Sequence, residues 1–252
     1  MTRKIWVDTD VALGAPRGDV DDGFALAAVA LAAREGAAVL EGVSVVSGNT
    51  QGTTAFQAAR GLLEVLGVSC PLVPEADAPR ALTALEPGTS ILAIGPLTNL
   101  FRAAALTPSF PERVEVRVVG GVRNRLRHPL LPLFDLNFRG GRAFWSLPFR
   151  RRLVFPLDVV RRLRFGPRDL ERIGACGPLG EYLSRHSRRW LVRAPLRYLS
   201  RSFPVWDLVA ALHAVSRLPG AVIDPKRSEL AAFDAEGARG AFFALLGAGR
   251  TP

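Results

Sequence analysis

Two periods of apolar and polar residues alternate along this chain, and each change of period marks an element. Lys4 to Val7 is a short apolar run ending at Asp8, which reads as a buried strand. Val11 to Gly18 holds Gly14, Pro16 and Gly18 and reads as a loop. Asp22 to Arg34 is apolar on nearly every side, with Phe24, Ala25, Leu26, Val29 and Leu31, as a buried helix would be. Val39 to Val46 is β-branched and reads as a strand, punctuated by Ser47-Gly48-Asn49-Thr50. Thr53 to Leu66 places Phe56, Ala59, Leu63 and Leu66 near one helical face. Ser90 to Ile94 is a strand broken by Gly95-Pro96, followed by a helix over Leu97 to Leu106. Val114 to Val119 is another strand, closed by Gly120-Gly121. Further on, Leu153 to Leu157 reads as a strand ending at Asp158, and Pro167 to Ile173 and Leu179 to Trp190 read as helices. Asp207 to Ser216 is a helix stopped by Pro219-Gly220, and Ser228 to Phe233 is a last short strand.

Strand alternating with helix predicts an α/β fold with an open, mostly parallel Rossmann-like sheet flanked by helices. Such sheets bind ligands beyond the carboxyl ends of their strands. Asp8, Asp10, Asn49, the Ile94–Gly95 turn and Val119–Gly121 all stand at such ends. No internal repeat or linker divides the chain, so residues 1–252 are expected to form a single domain.

Composition narrows the classes. The 252 residues are 48% hydrophobic, enough for one core and too apolar for a disordered chain. No apolar run reaches the roughly 18 residues of a membrane span. Carboxylates follow the first strand at once, so no signal peptide is expected here. Cys70 and Cys176 cannot build a disulfide framework, and no CxxC or CxxH pair offers a structural zinc site, so a cytoplasmic setting is expected. The net charge is +10, and Lys4 and Lys226 are the only lysines among 33 basic residues. A basic surface favours polyanions or is simply a solvated face. Arg161, Arg162, Arg164, Arg185, Arg188 and Arg189 concentrate it between Asp158 and Trp206.

The acidic residues carry more information. Asp8, Asp10, Asp19, Asp21 and Asp22 lie within fifteen positions of one another. Crowded carboxylates repel, and burial raises their pKa, so a fold that keeps them together implies a neutralising cation. Hard carboxylate oxygens suit Ca²⁺ or Mg²⁺ better than zinc. Taken singly, Asp21 or Asp22 also reads as a helix N-cap and Asp19 as a turn residue.

At this point the chain resembles the inosine–uridine type nucleoside hydrolases. Asp8-Thr9-Asp10 followed by Asp21-Asp22 is similar to the family's Asp-x-Asp…Asp-Asp signature. Ser47-Gly48-Asn49, Gly95-Pro96-Leu97-Thr98-Asn99, Val118-Val119-Gly120-Gly121, Phe134-Asp135-Leu136-Asn137-Phe138, Leu157-Asp158-Val159 and Trp206-Asp207 follow in the family's order.

The resemblance implies the nucleoside hydrolase fold and hydrolysis of the N-glycosidic bond of ribonucleosides to base and ribose. It implies one Ca²⁺ per subunit, binding the nucleophilic water and the ribose 2′ and 3′ hydroxyls. The ligands would be Asp10, Asp22, the main-chain carbonyl of Ile94, and Asp207. Asp10 would also be the general base. Asp21, Asn49 and Asn137 would hold sugar hydroxyls, and Asp135 would stand where the family has Glu. Asp8 would orient its neighbours from behind. Trp206 replaces the His that many relatives use as leaving-group acid; it would either stack on the base, as in the family's purine-preferring branch, or simply pack at a helix start. The expected assembly is a homo-oligomer, a dimer or tetramer. The expected partner is a small-molecule nucleoside, with no membrane and with nucleic acid less favoured.

The chain departs from that pattern where the base would bind. Relatives carry a longer segment between Pro74 and Ile91, including a His-Gly, and an Asp-Pro-Glu after the Asn where this chain runs Asn137-Phe138-Arg139 into Gly140-Gly141. The loop from Val11 to Val20 is longer than in the family. His213, on an apolar helix, is expected to be packed. His128, after the Gly120-Gly121 turn, is a candidate substitute acid. Trp6, Trp145 and Trp190 are expected in core or interface. Two rival functions follow. One is a catalytically weakened relative that binds a ligand or nucleic acid through its arginines. The other is a haloacid dehalogenase-type phosphatase with Asp8 as nucleophile and Asp10 as acid/base, for which the downstream Lys and acidic pair are poorly placed.

Overall fold

The computed structural model describes residues 2–16, 18–138, 141–198 and 200–248. Arg139 and Gly140 of the expected post-Asn segment lie outside the described residues. In chain order the elements are β1 (Arg3–Thr9), α1 (Asp21–Arg34), β2 (Ala38–Val45), α2 (Gly52–Leu66), β3 (Leu72–Val73), α3 (Ala78–Thr83), β4 (Ser90–Ala93), α4 (Thr98–Leu106), α5 (Phe110–Arg113) and β5 (Glu115–Val119). Two 3-10 turns, Leu131–Phe134 and Gly141–Ser146, precede β6 (Arg151–Phe155), α6 (Leu157–Val160), β7 (Arg164–Phe165), α7 (Pro167–Gly174) and α8 (Gly177–Tyr198). The chain closes with β8 (Phe203–Pro204), α9 (Trp206–Ala214), β9 (Val222–Asp224), β10 (Glu229–Ala232) and α10 (Ala235–Ala248).

Eight strands make one sheet in the order β3-β2-β1-β4-β5-β6-β10-β9. All neighbours are parallel except β9, which runs antiparallel to β10. The α/β expectation therefore holds. From β1 the chain builds outward on one side through β2 and β3, then returns to β4 and builds on the other. The switch point is between β1 and β4, where the connections on the two sides leave a crevice open at the carboxyl ends of the strands.

Apolar layers cover both sheet faces. On one, α1 is buried from Asp21 to Ala32, and its many alanines let neighbouring elements approach closely. Phe24 at its first turns packs edge-on against Phe165 and Phe242, at ring separations of 5.2 and 5.7 Å. On the other face Trp6, Ile91, Leu100, Phe110 and Phe144 form a second cluster. Among the described residues no helix is long and apolar enough to cross a membrane.

Several boundaries differ from the sequence reading, for local reasons. The strand expected over Leu153–Leu157 ends at Phe155, because Pro156 turns the chain into α6 and puts Asp158 in that helix's first turn. Val20, rather than Asp21 or Asp22, is the N-cap of α1, so both carboxylates are helical residues of the first turn. Helix α10 went unread because Gly237, Gly240 and Gly247 dilute its apolar pattern.

His213 is packed, as expected. Its ring meets Phe155 edge-on at 5.4 Å, and the Arg117 guanidinium donates to Nδ1 at 3.4 Å. Burial first, then the charges of Arg117, Arg3 and Arg151, push its pKa down to about 4. The unfolded chain therefore takes up a proton near pH 6.5 that the fold refuses until about 4, and stability falls as pH drops through that window. His213→Leu is expected to remove on the order of 1–2 kcal/mol of this loss. Urea melts of parent and variant at pH 7.5 and 4.5 check it.

Candidate functional site

The end of β1 alternates its side chains between the two faces of the sheet, and this separates three roles. Asp8 lies on the Trp6 face, fully buried. Trp6 Nε1–H donates to Ser44 Oγ at 2.9 Å, Ser44 donates to Asp8 Oδ1, and Asn99 Nδ2 donates to the same oxygen at 2.9 Å. Asn99 also donates to the Val45 carbonyl, tying β1, β2 and α4 together. Thr9 points the other way and donates to Asp22 Oδ1 while accepting from the Val11 N–H. Asp10 Oδ2 accepts the Asn49 N–H at 2.6 Å.

Two glycines permit this crossing. A Cβ on Gly48 would strike the Asp10 carboxylate and Pro96. A Cβ on Gly95 would lie 2.6 Å from Val46 and 2.8 Å from the Asp10 nitrogen. Glycine is thus required by close approach of three strand ends.

Helices α1 and α9 both begin here. Their first turns supply Asp21, Asp22 and Asp207, whose carboxylate oxygens approach within 4.8 Å of one another. Helix N-termini favour negative charge, but only by about a kcal/mol, and all three groups are buried. Burial, followed by neighbouring carboxylates, holds Asp10, Asp21 and Asp207 well above the ordinary carboxylate range. Burial pushes Asp8 and Asp22 up to about 6, against the hydrogen bonds of Ser44 and Thr9. Asp10 Oδ1 and Asp22 Oδ2 are buried with no hydrogen-bond partner among the described residues. Buried, crowded and partnerless oxygens of this kind fit a hard divalent cation.

Above this floor a pocket is lined by Asp19, Asp21, Asn49, Ile94, Asp135, Asn137, Trp206 and Asp207, with Val119, Phe134, Leu136 and Leu157. Seven residues expected at the site thus meet around one space. Asp10, Asp22 and Asp8 lie beneath it. Its free volume is about 50 Å³, on a scale where one water takes roughly 10–15 Å³, so it fits an ion and a few waters at the floor.

The structure also reassigns several residues. The Asn137 amide donates to the carbonyls of Ile94 and Val119 at 2.9 and 2.8 Å, bridging the ends of β4 and β5 and leaving Oδ1 to accept a hydroxyl. Asp135 accepts the Gly121 and Phe138 N–H groups with its two oxygens, so its first task is to shape that turn. Asp158 does the same for Arg123 and Asn124. His128 does not line the acidic pocket; it lines a neighbouring cavity with its Nδ1 3.3 Å from Arg161. Asp8, enclosed by its donors, is no exposed nucleophile, which removes the basis for the phosphatase reading. Trp6 and Trp190 are buried, whereas Trp145 is half-exposed beneath Arg152.

Thr9, Ser44, Asn99 and Asp19 were not singled out as site residues from the sequence. Thr9 and Asn99 sit inside the two motifs, but their roles depend on partners 13 and 91 positions away. Asp19, read as a turn residue, reaches the pocket because the long loop buries Val11, Ala12, Leu13 and Val20 and so brings its end against the site.

Calcium at 1 mM is expected to raise the melting temperature in a way that chelator reverses. Asp22→Asn should weaken calcium affinity at least tenfold. The same variant should raise the cation-free melting temperature by roughly 2–6 °C, about 1–2 kcal/mol of relieved repulsion. Thermal melts with calcium and with chelator, alongside calorimetric calcium titration, read both effects.

No protein-family model matches the chain, and no curated protein is significantly similar to it in sequence. Solved structures do match. A plant nucleoside hydrolase superimposes with TM-score 0.76 at 18% identity, covering 98% of this chain and 99% of that one. An inosine-guanosine nucleoside hydrolase gives 0.72 at 14% identity, over 97% and 98%. A purine-preferring ribonucleoside hydrolase from Gardnerella vaginalis gives 0.72 at 13%, over 97% and 99%. From β1 to α10, this chain has the fold of the nucleoside hydrolases.

Proposed function

We propose that this protein is a nucleoside hydrolase that cleaves the N-glycosidic bond of ribonucleosides, with a preference for purines. The observation that carries the reading is the buried meeting of Asp21, Asp22 and Asp207 under a pocket lined by Asn49, Asn137 and Trp206, on a fold shared with nucleoside hydrolases. Asp10, Asp22, Asp207 and the Ile94 carbonyl would hold calcium. When bound, the ion makes water more acidic and anchors hydroxyl oxygens.

The rest is the work of the chain's own groups. Asp10, oriented through Oδ2 by the Asn49 N–H, takes the proton of the attacking water. Asp21, Asn49 and the Asn137 Oδ1 orient sugar hydroxyls. As the C1′–N bond breaks, positive charge grows on the ribosyl carbon, and the anionic floor favours it. The bonding pair leaves with the base, and the Trp206 indole, at the first residue of α9, stacks on a departing purine. A cytoplasmic homo-oligomer is the corresponding expectation for the assembly.

Base release from inosine, adenosine, guanosine, uridine and cytidine, with calcium and then with chelator, tests the reading. The expected result is chelator-sensitive release, faster for purines. Asp10→Asn should lower kcat about 10²–10⁴-fold with the fold intact. Trp206→Leu should cost purines about tenfold more in kcat/KM than uridine, roughly 1.4 kcal/mol of stacking. A folded protein that binds calcium and releases no base, or that instead shows salt-sensitive nucleic-acid binding, would overturn the assignment.

A further inference from the structure

The acidic pocket has a basic neighbour. A cavity of about 260 Å³ is lined by Arg127, His128, Arg161 and Arg164, and among the described residues no carboxylate lines it. Phe134 and Trp206 line both spaces, so the two adjoin across these side chains.

We infer that the substrate carries a phosphate on its ribose, a nucleoside 5′-monophosphate, and that this phosphate docks in the basic cavity. The inference rests on the hydrolase reading above. If the 2′ and 3′ hydroxyls face the acidic floor and C1′ bears the base, the 5′ position is the one ribose oxygen left to carry a substituent. The acidic and basic spaces share Phe134 and Trp206, so a phosphate on that oxygen would be directed toward the basic side.

The cavity is built, not incidental. Asp158, in the first turn of α6, fastens the Arg123–Asn124 turn through two backbone N–H groups. The same short helix ends at Arg161, so one fastening brings Arg161 and the 127–128 segment together. Arg164 is oriented from β7 by Ser202, through Oγ at 2.9 Å and through the carbonyl. Arg127 and Arg161 form no ion pair with any described residue. Arg127 and Arg161 at one cavity repel each other, and a phosphate accepting from their planar guanidinium groups relieves that repulsion. Buried Leu131 and Pro204 form an apolar part of the same wall. The reaction would remain a hydrolysis. Water adds to C1′, the C1′–N bond breaks, the base leaves with its electron pair and gains a proton, and the other product is ribose 5-phosphate.

The experiment compares inosine 5′-monophosphate with inosine, in calcium, for the parent, Arg161→Ala and Arg162→Ala. Arg162 is exposed and outside the cavity. Calorimetric titration of the calcium-loaded protein with ribose 5-phosphate, ribose and inorganic phosphate runs beside it. The expected result is at least a tenfold higher kcat/KM for the monophosphate, a ratio that collapses toward one in Arg161→Ala and persists in Arg162→Ala. Ribose 5-phosphate should bind at least tenfold tighter than either ribose or phosphate. Should no base be released while that binding preference holds and is lost in Arg161→Ala, the hydrolase reading fails and the phosphate site stands. Inosine cleaved as well as its monophosphate overturns the phosphate site alone. Inorganic phosphate binding as tightly as ribose 5-phosphate also overturns it, by showing an anion site unlinked to the sugar. Neither turnover nor sugar-phosphate binding overturns both.

Discussion

Crowded, buried carboxylates are the constraint around which this molecule is arranged. Asp10, Asp21, Asp22 and Asp207 are all buried, and burial first, then the charge of neighbouring carboxylates including Asp19, favours their protonated forms. Charges this close repel strongly at low effective dielectric, and among the described residues no basic side chain lines their pocket. A cation would resolve the conflict, and the surrounding parts keep the carboxylates gathered where one could bind. Thr9 steadies Asp22, the Asn49 N–H steadies Asp10, and the Trp6–Ser44–Asp8–Asn99 chain holds the strand beneath them. The glycines at 48 and 95 let three strand ends close on that point.

Much of this was legible in the sequence because it is local. Asp8-Thr9-Asp10 follows an apolar run, Asp21-Asp22 opens an apolar helix, and Gly95-Pro96 ends a strand, so each acid or carbonyl could be put at a strand or helix end by period and punctuation. The parts that stayed hidden are those whose meaning lies in a distant partner. Asp135 has the type and order of a sugar ligand, yet its oxygens are taken by Gly121 and Phe138. Asn99 is visible as a motif residue but not as the donor to Asp8. The basic cavity draws on positions 127, 128, 161 and 164, which share no period and come together through contacts distant in sequence, of Asp158 with the 123–124 turn and of Arg164 with Ser202. Pro156 likewise changes the end of a strand by a property that apolar patterning does not weigh.

The site therefore has two sides of opposite sign, joined at Phe134 and Trp206. The acidic side suits a cation, ribose hydroxyls and a transition state gaining positive charge. The basic side suits an anion attached to the same sugar. An overall charge of +10 would draw such a substrate to the protein even though its innermost pocket is negative. The arginines of the second half thus include members of a site as well as solvated residues.

The most direct test of the central claim is a crystal structure of the full chain grown with calcium, with the ion located by its anomalous signal. The account predicts one ion bound by Asp10, Asp22, Asp207 and the Ile94 carbonyl, at oxygen distances of about 2.3–2.6 Å. An ion elsewhere, or an acidic cluster that remains closed and protonated in saturating calcium at neutral pH, would contradict it.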